Sequence, residues 1–536
     1  MERQNPSIFN DIVGPTMVGP SSSHTCAPAR IGFTARQLLN GKLKKAVIEF
    51  AKEGAYTDMY KGQHSDMGFV AGLLGFRPED PRLRDSFNLA KQAGIDIKFV
   101  ISDFKPIVPN LAKITLFSDS GEEVKVDTDS TGGGTFKILA IDGFETAIVG
   151  DCYELIVYAD TADEQSIVKM KADVASLFDS YEGASTSSVN GKTLMNFHLR
   201  KEIAKEKINE IKKTEHVSDV KVIEPILVVA SNRNTKMPFQ SAAELLELAE
   251  KDNKQLWELA IDYECARSGW TPKQVMDYMQ YVVETMERGA QEALKGDIDM
   301  NGIIKPTAGK IDKTCKEGKT LIDMGVLDVA VPWGMAVMEY SCAMGVVLCA
   351  PTGGSAGVFP GAIIGTAHKL GLSMEEKVKT MLTVAVTGIV MSKDCNYSAE
   401  LYGCQVEPGA ASAMAASGLV YVMGGTVKQS MDAASCGIQN ILGTICDPVA
   451  GLVQVPCISR NVIAIANAVT SANIVMGGYD PLIPLDESAE TMFRVGKQLP
   501  SELRCTCKGG LCTTATGLKL AKEQDERDNA RYEALK

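Results

Sequence analysis

Fourteen cysteines and five histidines hold most of the reactive chemistry in this 536-residue chain. Three of the cysteines occupy loop-like positions. Cys404 lies in Tyr402-Gly403-Cys404-Gln405-Val406-Glu407, and Cys446 and Cys457 bracket the run from Asp447-Pro448 to Val455-Pro456. Each stands within two residues of a Gly or Pro. Thiolates are the usual ligands of iron–sulfur clusters, which gain from nearby backbone N–H groups. No C-x-x-C motif occurs among the three, so spacing leaves two readings open. They are a metal-binding set, or three buried structural thiols, the commoner fate of free cysteine.

His24 and His64 lie in polar, Gly-containing segments, where functional residues concentrate. A near-neutral imidazole suits proton abstraction. His198 and His216 fall in a separate middle unit, and His368 reads as a solvent histidine at a helix end. Ser21-Ser22-Ser23 and Thr25, following Gly19-Pro20, offer hydroxyls and N–H groups for a carboxylate. Serines also cap helices, and a helix N-terminus itself attracts carboxylates. Thr352-Gly353-Gly354-Ser355 reads either as a contact for an amino group or as a loop between buried helices.

The elements that must position these residues divide the chain into an α+β arrangement. Residues 1–150 mix strand and helix patterns in an α/β domain. Ala112–Phe117 reads as a half-buried strand and Gly132-Gly133-Gly134 as a tight turn. Residues 151–226 follow a β-α-β-β-α-β order, the ferredoxin-like layout, with Asn190-Gly191 as a type I′ hairpin turn. Residues 227–240, with the polar stretch Ser231-Asn232-Arg233-Asn234-Thr235, read as a linker. Residues 241–536 read as a large all-α domain. Ser241 with Glu244, Thr271-Pro272 with Gln274, and Ser373 with Glu376 mark helix starts.

A net charge of −12 makes nucleic acid a poor partner. The uncharged runs Tyr340–Ala367 and Pro408–Val427 are rich in small residues and broken by Gly and Pro, so they predict buried helices and no membrane span. The first twenty residues lack the apolar core of a secretory signal, and the many cysteines then point to a reducing, cytoplasmic setting.

The stretch Cys446–Cys457, with Gly403-Cys404-Gln405 and Glu407, strongly resembles the signature of iron–sulfur-dependent L-serine dehydratases. So do Ala343-Met344-Gly345, Ala350-Pro351-Thr352-Gly353-Gly354-Ser355 and Gly19-Pro20-Ser21-Ser22-Ser23-His24-Thr25. Lys61-Gly62-Gln63-His64-Ser65-Asp66, Gly72–Gly75, Glu502-Leu503-Arg504 and Gly509-Gly510 continue the match in order over nearly the whole chain. The resemblance implies a [4Fe–4S] cluster held by Cys404, Cys446 and Cys457, with one iron open. It implies L-serine as substrate and β-elimination of water to pyruvate and ammonia, without pyridoxal phosphate. His64 becomes the base, with His24 beside it, and Ser21, Ser22, Ser23, Thr25, Thr352, Gly353 and Ser355 the substrate contacts. It further implies a single-chain form with an ACT-type middle module, working as a homodimer.

Relatives usually carry Asn at Gly353 and Ala at Ser355, and a less bulky segment than Asn396–Tyr402, so Tyr397 and Tyr402 are expected to reshape the pocket. Another small β-substituted substrate, such as threonine or cysteine, is the alternative reading; a non-catalytic amino-acid sensor ranks below it. Some relatives end in a cysteine that reaches the open iron. Here Cys505, Cys507 and Cys512 are the candidates for that place, against the plainer reading of an exposed cysteine-rich loop.

Overall fold

A computed structural model describes residues 5–535, apart from 180, 231–234, 321 and 393–395. The first domain is built on a six-stranded sheet. Its order is Asp96–Ser102, Leu43–Ala51, Leu111–Ser118, Glu123–Gly132, Thr135–Ile141, Phe144–Ile148. The first pair is parallel and the others antiparallel. Ile48, Phe50, Ile114, Leu116 and Val126 alternate inward and bury one face. Helices Ala27–Arg36 and Ser65–Leu73 pack against each other so closely that a Cβ on Gly72 would lie 2.1 Å from the Ala29 carbonyl oxygen. That approach brings the segments carrying His24 and His64 together, because each histidine stands at or just before the start of one of these helices.

The middle unit runs Tyr153–Ala159, helix Glu164–Ser176, Gly183–Val189, Lys192–Leu199, helix Lys205–Ile211, Val217–Ile223. Its strands lie in the order last, first, third, second, which is the ferredoxin-like sheet. Asn190 and Gly191 both take positive φ, 51° and 79°, as a type I′ turn requires. Leu155, Val157, Met195 and Phe197 pack under the two helices. Ile156, Leu194 and Ile223 point the other way, into the core of the first domain.

The remaining chain is mostly helical, and its start signals work as hydrogen bonds. The hydroxyls of Ser241, Thr271 and Ser373 accept from the backbone N–H of Glu244, Gln274 and Glu376. Helix Pro408–Val422 is buried nearly all round, as its small residues allow. No helix among the described residues is long and apolar enough to cross a membrane.

Two expected boundaries need correction. The C-terminal region is not purely helical: Val346–Leu348 forms an antiparallel pair with Thr16–Val18, so the chain's beginning joins the large domain. Ile8, Phe9, Ile12 and Val13 lie in that domain's core, and buried Glu264 accepts from the Ser7 hydroxyl at 2.9 Å and the Ile8 N–H at 2.8 Å. Nor are residues 227–240 a free linker. Val229, Met237 and Phe239 are buried in the same core, and Asn10 hydrogen-bonds both backbone groups of Val229. The polar Ser231–Asn234 lie outside the described residues.

Candidate active site

Cys404 opens a short 3-10 turn after Gly403, whose φ of 77° needs glycine, and Cys457 is the first residue of helix Cys457–Met476. Cys446 is fixed by two backbone bonds to the C-terminal segment: its N–H donates to Leu503, and its carbonyl accepts from Cys505. Ligand atoms of Cys404, Glu407 and Cys446 all lie within 4.8 Å of one another. Cys457 stands outside that tight group, but its sulfur is near enough to feel the charge of Cys404 and Glu407. All three thiols are held well above the pKa of free cysteine: Cys404 by its hydrogen bond with Cys446 and then by burial, Cys446 by its bond with Cys505 and burial against the opposing effect of Cys404, and Cys457 by burial. Arg460 supplies the compensating charge. Its Nη1 lies 3.8 Å from Cys404 Sγ and 2.8 Å from Asp447 Oδ1.

The serine-rich segment forms the first turn of a continuous helical run. Ser21 caps it, its hydroxyl accepting from the His24 N–H at 3.1 Å. Ser22 Oγ accepts from the Gly353 N–H at 3.1 Å, and Ser23 Oγ donates to Glu400 at 2.7 Å. The Thr25 hydroxyl donates to the Gln63 carbonyl at 2.7 Å, tying the His24 and His64 segments together. Thr352 and Ser355 bond each other as a capping box at the turn facing Ser22. Ser21, Thr25, Thr352 and Ser355 thus hold the two turns in shape, while Ser22 and Ser23 also bond to neighbouring segments.

His24 is fully buried. Its Nδ1 lies 2.9 Å from Ser23 Oγ and 3.7 Å from Glu400 Oε1, and its ring meets Tyr56 edge-on. Burial lowers its pKa, opposed by the Glu400 charge. Asp129 is near enough to feel the same carboxylate, and burial followed by repulsion from Glu400 pushes its carboxyl up to about 7.

His64 caps helix Ser65–Leu73 in the left-handed conformation, φ 59°. It borders a small cavity with Pro20, Cys342, Leu452 and Val453, so it faces the loop between Cys446 and Cys457. Arg531, on the last helix, places Nη1 3.3 Å from His64 Nδ1 and Nη2 3.4 Å from Asp66. Burial, then this guanidinium, lowers the His64 pKa to about 3, so the ring is neutral at physiological pH.

Residues 250–512 match the family profile described as serine dehydratase alpha chain. The chain is 35% identical over 285 residues to the probable L-serine dehydratase alpha chain of Bacillus subtilis, covering 53% of this chain and 95% of that one. The chain belongs to the L-serine dehydratase family.

Its front part also matches: the probable L-serine dehydratase beta chain of B. subtilis is 39% identical over 151 residues, 28% of this chain and 67% of that protein. L-serine dehydratase 1 of Escherichia coli is 26% identical over 509 residues, 92% of this chain and 96% of its own length.

Against that family background, the structure changes two expectations about the site. Tyr397 and Tyr402 turn into the helical core: the Tyr397 hydroxyl donates to the Gly388 carbonyl at 2.8 Å, and Tyr402 packs edge-on against Phe493. Cys505, Cys507 and Cys512 do not form an exposed loop. Cys505 is 8% exposed and packs with Cys404 and Cys446, and the Cys512 thiol donates to the Pro448 carbonyl at 3.2 Å. Glu400, Asp129, Arg460 and Arg531 were not singled out by sequence, because no local pattern joins an isolated charge to a partner hundreds of residues away. Glu407 is legible in the sequence only as part of a motif.

Proposed function

We propose that this chain removes water from L-serine, giving pyruvate and ammonia, with a [4Fe–4S] cluster held by Cys404, Cys446 and Cys457. The observation that carries this reading is the close set of Cys404, Cys446 and Glu407 in a member of this family. A soft donor set with Arg460 to balance its charge suits iron–sulfur ligation. When bound, such a cluster supplies an open Lewis-acidic iron that polarises the departing hydroxyl.

The protein's own residues do the rest. The N-terminal turn at Ser22 and Ser23 receives the substrate carboxylate, where a helix end favours an anion. Neutral His64 is the base for the Cα proton, and Arg531 holds its ring through Nδ1. Glu400 and Ser23 orient His24 beside the same site. The aminoacrylate product tautomerises to an imine, which water hydrolyses. The middle unit, with its ferredoxin-like sheet, serves as an ACT-type module of a cytoplasmic homodimer.

The test is anaerobic purification followed by assay against L-serine, L-threonine and L-cysteine. The expected result is about four irons per chain and pyruvate from serine. A fully loaded cluster with no turnover of any of the three overturns the reading.

A further inference from the structure

We propose that Cys152, Glu154 and His198 form a second metal site, in the middle unit, for one divalent transition ion of the zinc or cobalt class. Their ligand atoms all lie within 4.8 Å of one another. His198 Nδ1 is 2.6 Å from Glu154 Oε2, and Cys152 Sγ is 3.4 Å from Glu154 Oε1. Strand geometry brings them together. Glu154 pairs directly with His198 across the sheet, and Cys152 stands in the bend just before the Glu154 strand, its thiol turned to that carboxylate.

That face packs on the first domain among Ile156, Leu194 and Ile223, and all three candidate ligands are buried. An ionised Glu–His pair in such a place gains little by itself, because desolvation offsets the attraction. A dipositive ion with one thiolate and one carboxylate sums to zero charge, which suits a dry interface. Nitrogen, oxygen and sulfur together are the donors zinc takes in tetrahedral sites.

A second observation points the same way. Asn196 is the next residue on this face of the His198 strand. It is fully buried, and neither its Oδ1 nor its Nδ2 has a hydrogen-bond partner. A buried amide left unsatisfied is costly, which marks this stretch of the face as one that lacks a polar partner. Metal entry displaces the Cys152 thiol proton and the proton shared by His198 and Glu154 to solvent.

The test is cobalt titration of the full-length protein, anaerobically, after chelation. One equivalent of Co2+ is expected to give a thiolate-to-cobalt charge-transfer band that Zn2+ abolishes. The band persists in Cys404→Ser, which separates this site from the cluster cysteines, and is lost in Cys152→Ala and His198→Gln. A wild type that takes up no cobalt, or a Cys152→Ala variant with an unchanged band, overturns the proposal. Should both variants fail to fold, X-ray absorption of the wild-type zinc form decides. One sulfur among nitrogen and oxygen neighbours supports the site; two or more sulfurs, or none, sinks it.

Discussion

Cys404, Glu407 and Cys446 come from loops and helix starts that only tertiary packing brings together, whereas Glu154 and His198 face each other on two adjacent strands, with Cys152 in the bend just before the first. The first group has charged neighbours, Arg460 and Asp447, and borders the segments that carry His24 and His64. The second lies among aliphatic side chains between two sheets. Loops with a charged surround allow substrate entry and changes in ligation. A sheet face fixes geometry and admits little else. The contrast assigns chemistry to the first group and the joining of domains to the second.

The strongest way to break this contrast is Cys446→Ser, expected to abolish pyruvate formation and iron content together, as read by iron analysis and a coupled pyruvate assay. Retention of both would remove the cysteine junction from the chemistry. Next comes Glu400→Gln, which keeps the side chain's shape but removes the charge beside His24. Partners that orient reacting groups typically matter by about 10- to 100-fold, so kcat should fall by that factor with iron unchanged. A simple structural role would lower the melting temperature and leave kcat alone.

Gly353→Asn inserts a side chain against backbone. Its Cβ would meet the Ser22 nitrogen at 2.7 Å and the Pro20 oxygen at 2.9 Å. Overpacking of this kind costs about 1–3 kcal/mol, measurable by denaturant unfolding. The smallest effects concern protons. The folded-state pKa of His64, about 3, lies below its ordinary 6.5. Between those values the unfolded chain binds a proton that the folded chain does not, so stability is lost as pH falls from 6.5 towards 3. His64→Gln should flatten that dependence in thermal melts. Arg531→Ala removes the second cause of the depression and should move the acid limb of kcat/KM to higher pH, while burial still holds it below 6.5.

Much of the scaffold was legible because its signals are local. The alternation and Asn190-Gly191 turn of the middle unit appear as hairpin and sheet, and Ser373 with Glu376 caps its helix reciprocally. The cysteine and histidine motifs were legible as a family resemblance. What escaped depends on sequence-distant pairing. Glu400 meets Ser23 across 377 positions, and Arg531 meets His64 across 467. Tyr397 and Tyr402 were assigned to the pocket from bulk alone, but their direction is set by Gly388 and by Phe493, which the local sequence does not reveal. The sequence places His198 in the middle unit but hides its partner for the same reason: Glu154 stands on the neighbouring strand.

The pairing of Thr16–Val18 with Val346–Leu348 has a consequence for biosynthesis. The opening segment leaves the ribosome long before its strand partner exists, and its apolar Ile8, Phe9 and Ile12 have no home until the helical bundle is made. Such long-range closure is slow and leaves sticky surface exposed meanwhile. Docking of Ile8 to Val18 is therefore a late step of folding, after the helical bundle and its short strand have formed.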